Sequence, residues 1–202
     1  MEIFDLEQGS GDWFSARLGI PTASEFATVL RDKSDSKTRR TYLYKLAGEI
    51  ITGEPMESYS SAHMERGKAM EGEAREAYAF IANVEPQRVG FIRNGRAGAS
   101  PDSLIGANGL VEIKTKCAHA MVECILRNEF PPEHVAQCQG QLWITEREWI
   151  DIAVYWPGFP LFVKRAYRDE PYIKRLSEAV SEFNTELDEI VSRVLGQQRR
   201  AA

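Results

Sequence analysis

The stretch that decides the fold is Leu110-Val111-Glu112-Ile113-Lys114-Thr115, with Ser100-Pro101-Asp102 a short way before it. The apolar and polar residues of 110–115 alternate, which is typical of a β-strand. Successive side chains on a strand point to opposite faces, so Glu112 and Lys114 share one face and Ile113 lies on the other. The stretch therefore predicts a strand that carries a carboxylate and an ammonium group side by side.

A turn before this strand can add a second carboxylate. Pro101 biases Ser100 towards an extended conformation, and Asn108-Gly109 is a strong signal for a hairpin turn. Because a turn between two strands brings their side chains together, we expect Asp102 to lie beside Glu112.

Two carboxylates and a lysine at one strand end are suited to chemistry on a phosphate group. Mg²⁺ usually binds through one or two carboxylates plus a substrate phosphate, and a neighbouring lysine can orient the attacking water or stabilise the developing charge. Pro101-Asp102 followed by Glu112-Ile113-Lys114 is also the PD-(D/E)xK nuclease signature. The signature is short, and the alternative is a surface turn with a solvated glutamate–lysine pair, which is common on exposed strands.

The composition predicts one soluble globular domain over residues 1–202, because 43% of the residues are hydrophobic and 27% are charged. No run of about 18 apolar residues occurs, and the N-terminus lacks the basic and apolar regions of a signal peptide. We therefore expect no membrane span and a cytoplasmic location. Cys117, Cys124 and Cys138 are odd in number and lack Cys-x-x-Cys spacing, so we expect reduced thiols rather than disulfides or a zinc site.

The net charge of −5 argues against a protein that coats nucleic acid without specificity. It does not exclude a nucleic-acid substrate, because an acidic exterior can enclose a local basic channel. The best candidates for such a channel are Arg31, Lys33, Lys37, Arg39, Arg40 and Lys45. On charge alone, a solvated loop and helix start explains this segment equally well.

Periodicity and turn residues predict the other elements. Helices are expected at about residues 13–18, 22–30, 38–51, 62–82, 118–128, 133–145 and 171–195. Strands are expected at about 87–94, 97–100, 110–115, 149–156 and 161–167, the last two joined as a hairpin at Pro157-Gly158. Thr22-Ala23-Ser24-Glu25 has the form of a capping box, and the last helix should end at Gly196. This order predicts an α+β fold with a mixed central β-sheet flanked by helices.

Two glutamines and one glutamate extend the candidate site. Gln137 and Gln141 lie one helical turn apart and so face the same way. An amide there can hydrogen-bond a phosphate, a metal-bound water or the lysine, although an ordinary polar helix face is the alternative. Glu71 is one of several acids on its helix, and by itself it is equally consistent with a solvated face.

Five blocks of residues occur in one order along nearly the whole chain. They are Leu6-Glu7-Gln8-Gly9 with Trp13 and Arg17-Leu18-Gly19-Ile20-Pro21-Thr22-Ala23-Ser24-Glu25; Gly67-Lys68 with Glu71 and Ala74-Arg75; Ser100-Pro101-Asp102; Asn108-Gly109-Leu110-Val111-Glu112-Ile113-Lys114; and Ala136-Gln137-Cys138-Gln139 with Leu142-Trp143-Ile144-Thr145. In these blocks the chain resembles the YqaJ-type viral recombinase nucleases, the family of phage lambda exonuclease, which have a PD-(D/E)xK core. Five ordered blocks are far more specific than the short signature alone.

The resemblance implies a processive, Mg²⁺-dependent exonuclease that digests one strand of linear double-stranded DNA in the 5′-to-3′ direction. Such an enzyme leaves a 3′ single strand for annealing-based recombination. The resemblance also implies a homotrimeric ring around the DNA, a single-strand annealing protein as partner, and a phage or prophage protein in the cytoplasm of a bacterial host. Two Mg²⁺ ions are expected, with Mn²⁺ as a substitute.

The resemblance also assigns roles by position. The residues that it assigns to the metals are Asp102, Glu112, Glu71 and Ile113, the last through its carbonyl. Lys114 would orient the attacking water, and Gln137 would support the site.

The resemblance further implies a pocket for the 5′-phosphate. Its residues would be Arg17, Ser24 and Ser100, with Trp13 on the same DNA-binding surface. A guanidinium group clamps a phosphate through two hydrogen bonds, and hydroxyls add donors. The chain departs from the family at Ala62, where a pocket lysine is missing, and at Gln141, where lambda exonuclease has a serine. Either another basic residue replaces the lysine or the preference for phosphate is weaker.

Two other functions are compatible with the same core. A structure-specific endonuclease would cut covalently closed DNA, whereas an exonuclease would not. A catalytically silent module would bind DNA ends and recruit the annealing protein without cleavage. The joint presence of Asp102, Glu112 and Lys114 argues against the silent module.

Overall fold

The computed structural model describes residues 1–32, 36–56 and 62–201, and all side chains in them except those of residues 62–64 and 198–201. The helices are α1 (Gly11–Ala16), α2 (Phe26–Val29), α3 (Lys37–Thr52), α4 (Ala62–Ala82), α5 (Ala118–Arg127), α6 (Val135–Thr145) and α7 (Glu170–Ala201). The strands are β1 (Glu2–Phe4), β2 (Pro86–Gln87), β3 (Phe91–Asn94), β4 (Ala97–Ala99), β5 (Ser103–Ile105), β6 (Gly109–Thr115), β7 (Trp149–Tyr155) and β8 (Phe162–Tyr167). Two short 3₁₀ turns, Ala23–Glu25 and Pro132–His134, lead directly into α2 and α6.

The central sheet has five strands in the order β2-β5-β6-β7-β8. β6 and β7 run parallel, from the pair Gly109↔Trp149 to the pair Thr115↔Tyr155. The other neighbouring strands are antiparallel, and β7 and β8 form the predicted hairpin. The prediction of a mixed central sheet is confirmed.

Helices cover both faces of this sheet. On one face, Tyr78 of α4 joins a buried cluster with Val111 and Ile113. On the other face, Leu142 of α6 joins a buried cluster with Leu110. Because side chains alternate along β6, Glu112 lies on the face that α6 covers. The α+β arrangement of a sheet flanked by helices is therefore confirmed, and it places α6 directly over the candidate site.

A second sheet was not predicted. It has three antiparallel strands in the order β1-β3-β4, with Ile92 of β3 paired to both Ile3 and Ala99. The sequence indicated strands at 87–94 and 97–100, but β1 has only three residues and offers too little alternation to recognise. This sheet matters for the site because it ends immediately before Ser100.

The helix ends show which glycines stop a helix. Gly53 caps α3 with a φ of 72°, in the left-handed region, as expected for a glycine C-cap. Gly196 lies inside α7, so the predicted end of that helix is wrong. An exposed glycine costs a helix only about 1 kcal/mol relative to alanine, and that cost alone does not end it.

The turn before β6 differs from the prediction. β5 and β6 pair as far as Ile105↔Gly109, so the loop is residues 106–108 and Gly109 belongs to the strand. Gly106 adopts the left-handed conformation in this loop, with a φ of 52°. Gly109 is required for a different reason, since a Cβ at that position would overlap the ring of Trp149.

Within the described part of the chain, no helix combines the length and the apolar character that a membrane crossing needs. Cys117, Cys124 and Cys138 are free thiols, as predicted.

Candidate active site

Asp102 is tied to the strand that follows it in the hairpin. Its Oδ2 accepts a hydrogen bond of 2.6 Å from the backbone N–H of Ile113. Because Ile113 lies between Glu112 and Lys114 on β6, this bond holds the Asp102 carboxylate beside both of them. The structure thus places the three charged residues of the signature at one site.

Glu112 is buried, with 3% of its surface exposed, and side-chain N–H groups surround its carboxylate. Lys114 Nζ and Gln137 Nε2 donate to Oε1 at 2.7 and 2.5 Å. Gln141 Nε2 donates to Oε2 at 2.6 Å. The burial of this carboxylate rules out the alternative of a solvated glutamate–lysine pair, and the two glutamines are not an ordinary polar face.

Burial and the neighbouring charges shift the pKa values of Asp102 and Lys114. Burial, and then repulsion from the Glu112 carboxylate, raises the pKa of Asp102 well above its usual range. Burial alone would lower the pKa of Lys114, but the Glu112 and Asp102 carboxylates outweigh it and raise that pKa. Lys114 is therefore an ammonium at neutral and mildly alkaline pH, and it is suited to orienting water rather than to accepting a proton.

Replacing Asp102 with Asn should stabilise the metal-free protein increasingly as the pH rises. Because the pKa of Asp102 is higher in the folded protein than in the unfolded chain, stability is lost as the pH rises through the folded pKa. Asn does not ionise and can still accept the bond from Ile113. Each unit between the two pKa values corresponds to about 1.4 kcal/mol, or about 3–5 °C in a chain of this size.

Thermal unfolding of the wild type and of Asp102→Asn in EDTA, from about pH 4 to about pH 9, measures this difference. Comparing the two proteins at each pH cancels the contributions of titrating groups that do not interact with Asp102. A difference in unfolding temperature that stays constant over this range would contradict the raised pKa.

Glu71 lies near this site on α4, but its carboxylate has another partner. Its Oε1 forms an ion pair with Arg75 one turn along the helix, and Arg75 Nε donates to Ser103 Oγ at 3.1 Å. The charge of Glu71 still contributes to the raised pKa of Asp102. Among the described residues, no three His, Cys, Asp or Glu side chains are grouped so as to hold a metal ion by themselves.

The donors at the site nevertheless fit Mg²⁺. This ion keeps several waters and binds through one or two carboxylates plus substrate phosphates, rather than in a cage made only of protein ligands. Asp102 and Glu112 supply two carboxylates, and burial, followed by the repulsion between them, raises the pKa of Asp102. A divalent cation would relieve that repulsion.

Sequence reasoning missed His134, which lies close to this cluster. Burial, and then the charge of Lys114, lowers the pKa of His134 to about 4, so its imidazole is neutral at physiological pH. His134 directly precedes α6 and lies three residues before Gln137. That spacing is the signal that could have identified it.

The residues assigned to the 5′-phosphate are connected to one another. The guanidinium carbon of Arg17 lies 3.7 Å from the centre of the Trp13 ring, and Trp13 Nε1 donates to Ser100 Oγ at 3.1 Å. Arg17 also donates to Thr22 Oγ1 at 3.2 Å. That oxygen lies 3.3 Å from the hydroxyl of Ser24. The structure thus brings all four assigned residues into one group and adds Thr22, which sequence reasoning had not assigned.

The predicted capping box at Thr22 is wrong. The Thr22 side chain makes no hydrogen bond to the backbone of the following turn. Its hydroxyl is buried against Arg17 and accepts the bond from that guanidinium instead. A charged donor makes a stronger hydrogen bond than a backbone N–H, which explains the different partner.

A cleft of about 790 Å³ extends from the Arg17 group to Glu71. The charged residues that line it are Arg17, Lys45, Lys68, Arg75 and Arg88, together with Glu25, Glu49, Glu65 and Glu71. Burial lowers the pKa of Arg17 to about 10, so its guanidinium stays charged at neutral pH. The cleft therefore carries charges of both signs and reaches Glu71, whereas Asp102, Glu112 and Lys114 are not among its lining residues.

The basic segment around residues 31–45 contributes less than its charge suggested. Arg39 is buried and forms two hydrogen bonds to Glu186, of 2.7 and 3.1 Å, which link α3 to α7. Lys45 does line the cleft. Lys33 lies outside the described residues.

Comparisons with known proteins support the fold. A family model described as the YqaJ-like viral recombinase domain matches residues 12–148. Two crystal structures of LHK-Exo, an alkaline exonuclease from Laribacter hongkongensis, share 32% sequence identity with the chain, with TM-scores of 0.87 for its complex with dAMP and 0.88 for the other. Both matches cover 96% of this chain and 100% of that one.

A more distant match shares the fold alone. A phage-related exonuclease from Haemophilus somnus 129PT is 12% identical, over 87% of this chain and 96% of that one, with a TM-score of 0.67. No curated protein matches the chain.

Proposed function

The chain belongs to the YqaJ-like viral recombinase family, and from this premise we propose that it is a Mg²⁺-dependent 5′-to-3′ exonuclease acting on linear double-stranded DNA. It digests one strand processively and leaves a 3′ single-stranded overhang for annealing-based recombination. The observation that carries the proposal is the buried Glu112, held by Lys114 and two glutamines beside Asp102. Burying such a charged cluster costs folding free energy, and clusters of this kind are typical of catalytic sites.

Asp102 and Glu112 are the proposed metal ligands, with Glu71 and the carbonyl of Ile113 completing a two-ion site. Bound Mg²⁺ or Mn²⁺ supplies charge stabilisation at the scissile phosphate and lowers the pKa of a water. Glu71 must leave Arg75 to join this site. Arg75 also donates to Ser103 Oγ, so it keeps one partner when Glu71 leaves.

Lys114 orients the attacking water and stabilises the charge that develops on the phosphate. Its ammonium is held 2.7 Å from Glu112 Oε1, so its position is fixed relative to a proposed metal ligand. Gln137 shares the same oxygen and prevents the carboxylate from turning. This fixed arrangement is what electrostatic stabilisation of a transition state requires.

The Arg17 group gives the enzyme its polarity. A 5′-phosphate held by Arg17, Ser24 and Ser100 allows digestion to proceed from one strand end only. Lys68 takes the place of the lysine that is missing at Ala62, whose side chain lies outside the described residues. Its ammonium lies against the Gly9 turn, 2.9 Å from where a Cβ would be, and Lys68 and Gly9 both line the cleft that contains Arg17.

Replacing Arg17 with Ala should remove most of the preference for 5′-phosphorylated ends. A hydrogen bond to a charged group contributes about 1.5–3 kcal/mol, so kcat/KM on phosphorylated ends should fall about 10- to 100-fold. Activity on 5′-hydroxyl ends should change little, and fewer nucleotides should be released per binding event. Single-turnover digestion of paired phosphorylated and hydroxylated duplexes measures both effects.

Arg96→Ala is the matched control for this experiment. Arg96 is an exposed arginine paired with Asp188, and its loss should leave the phosphate preference unchanged. If Arg17→Ala still distinguished phosphorylated from hydroxylated ends as the wild type does, the pocket would lie elsewhere.

The deciding experiment follows mononucleotide release from linear duplexes with a 5′-phosphate, a 5′-hydroxyl or covalently closed ends, in Mg²⁺ and in EDTA. We expect Mg²⁺-dependent release from the 5′-phosphorylated strand, with closed DNA untouched. Cutting of closed DNA would instead identify an endonuclease. Binding of ends without release would identify the silent recruiting module.

A homotrimeric ring around the DNA and a single-strand annealing partner complete the proposal, in the cytoplasm of a bacterial host. A ring with an acidic exterior and a basic bore reconciles the net charge of −5 with a DNA substrate. Sedimentation analysis should give three times the chain mass of 22.8 kDa. A monomeric mass under the assay conditions would exclude the ring.

A further inference from the structure

We propose that Gln141 is a positioning residue. It holds Oε2 of Glu112, the oxygen that still has a lone pair with which to bind a metal. The inference rests on the proposed function, because the ligand role of Glu112 belongs to it. It concerns a side chain that the resemblance leaves without a role, at a position where lambda exonuclease carries a serine.

The hydrogen-bond arrangement around Glu112 singles out one oxygen. An ionised carboxylate offers about four lone-pair sites, two on each oxygen. Among the described residues, Oε1 accepts from Lys114 and from Gln137, which uses both of its sites. Oε2 accepts from Gln141 alone. The remaining lone pair of Glu112 is therefore on Oε2, the oxygen that Gln141 holds.

The orientation of the Gln141 amide is fixed by this contact. With its Nε2 towards Glu112, its Oε1 is buried and has no hydrogen-bond partner among the described residues. Turning the amide over would place an oxygen against the carboxylate, which is worse than leaving one acceptor unpaired. The Gln141 side chain thus keeps its N–H donor on Glu112, although its Oε1 is left without a hydrogen bond among the described residues.

The position of Gln141 is set by α6. The side chain is 1% exposed, one turn after Gln137 on the same helix. The two amides therefore reach Glu112 from successive turns of a helix packed on β6, and each holds one oxygen. Residues that hydrogen-bond metal ligands in this way orient them, and their loss typically weakens metal binding about 10- to 100-fold.

The test replaces Gln141 with Met, which keeps the volume and removes the donor. We expect binding of Mn²⁺ to the DNA-free protein, followed by electron paramagnetic resonance, to weaken about tenfold or more. The Mg²⁺ concentration for half-maximal digestion should rise by a similar factor, with a smaller change in the maximal rate.

Gln139→Met is the matched control. Gln139 is a buried glutamine of the same helix, but its Nε2 donates to the Tyr167 carbonyl at 2.8 Å and its Oε1 accepts from the Asp169 N–H at 2.9 Å. This control should lower the unfolding temperature in EDTA and leave Mn²⁺ affinity unchanged. A purely structural role for Gln141 predicts the same result for both variants.

Wild-type affinity in Gln141→Met, or equal weakening in Gln139→Met, would overturn the inference while leaving the proposed function intact. Absence of Mn²⁺ binding by the wild type would overturn both.

Discussion

Asp102→Asn is expected to reduce nucleotide release from a 5′-phosphorylated linear duplex by about 10³-fold or more. The substitution keeps an acceptor for the Ile113 N–H, which Asp102 Oδ2 binds at 2.6 Å, and removes only the negative charge. Metal-derived charge stabilisation contributes several kcal/mol to phosphate chemistry, and each 1.36 kcal/mol is a factor of ten in rate. Rapid-quench measurement of mononucleotide release in saturating Mg²⁺ gives the rate.

Measurements of DNA-end binding and of thermal unfolding should separate this loss of activity from misfolding. Asp102→Asn should still bind phosphorylated duplex ends, because the Arg17 group does not include Asp102, and it should unfold at or above the wild-type temperature in EDTA. Asp188→Asn removes an exposed carboxylate that pairs with Arg96, so it should digest DNA normally. Near-normal digestion by Asp102→Asn would show that Asp102 is not a metal ligand.

The charged part of the candidate site could be predicted from the sequence because its residues lie close together along the chain. Strand alternation alone placed Glu112 and Lys114 on one face, and one hairpin brought Asp102 to them across eleven residues. The mixed sheet was predictable in part, since β6, β7 and β8 have long apolar or alternating patterns, whereas the short strand β5 was not predicted. The helix over the site could be placed because Gln137 and Gln141 are one turn apart.

The contacts that complete the site could not be predicted from residue spacing, because they join distant parts of the chain; only the family resemblance had grouped Trp13 with Ser100. Trp13 meets Ser100 across 87 residues, through a three-stranded sheet whose first strand is too short to show a pattern. Arg39 resembled a surface cation, yet it pairs with Glu186 across 147 residues. Amino-acid composition does not predict which arginine and lysine side chains are buried in this way. The fixed orientation of the Gln141 amide depends on the packing of α6 on β6, which no residue spacing specifies.

Lys114→Met should reduce the rate of cleavage about 10²- to 10³-fold, the loss typical of removing one preorganised electrostatic stabiliser. The loss should appear in the maximal rate, because Lys114 acts on the water and the phosphate rather than on end binding. Metal affinity should be retained or increased, since the ammonium 2.7 Å from Glu112 Oε1 neutralises a proposed ligand in the wild type. Lys114 is thus distinguished from Asp102, whose loss removes metal binding itself.

Lys116→Met is the control that tests whether the effect is specific to Lys114 or common to lysines near the end of β6. Lys116 follows Lys114 by two residues, and its ammonium pairs with the exposed carboxylate of Glu133 at 2.6 Å instead of with Glu112. Its loss should leave the maximal rate within a few-fold of wild type. Mn²⁺ affinity and the single-turnover rate should be measured in both variants. If Lys114→Met cleaves at the wild-type rate, or loses only metal binding, then Lys114 serves to hold Glu112. In that case another group must orient the attacking water. Lys114→Arg sharpens the comparison, because its guanidinium keeps the charge but not the compact ammonium geometry, so a full rescue by Arg would show that charge alone is sufficient.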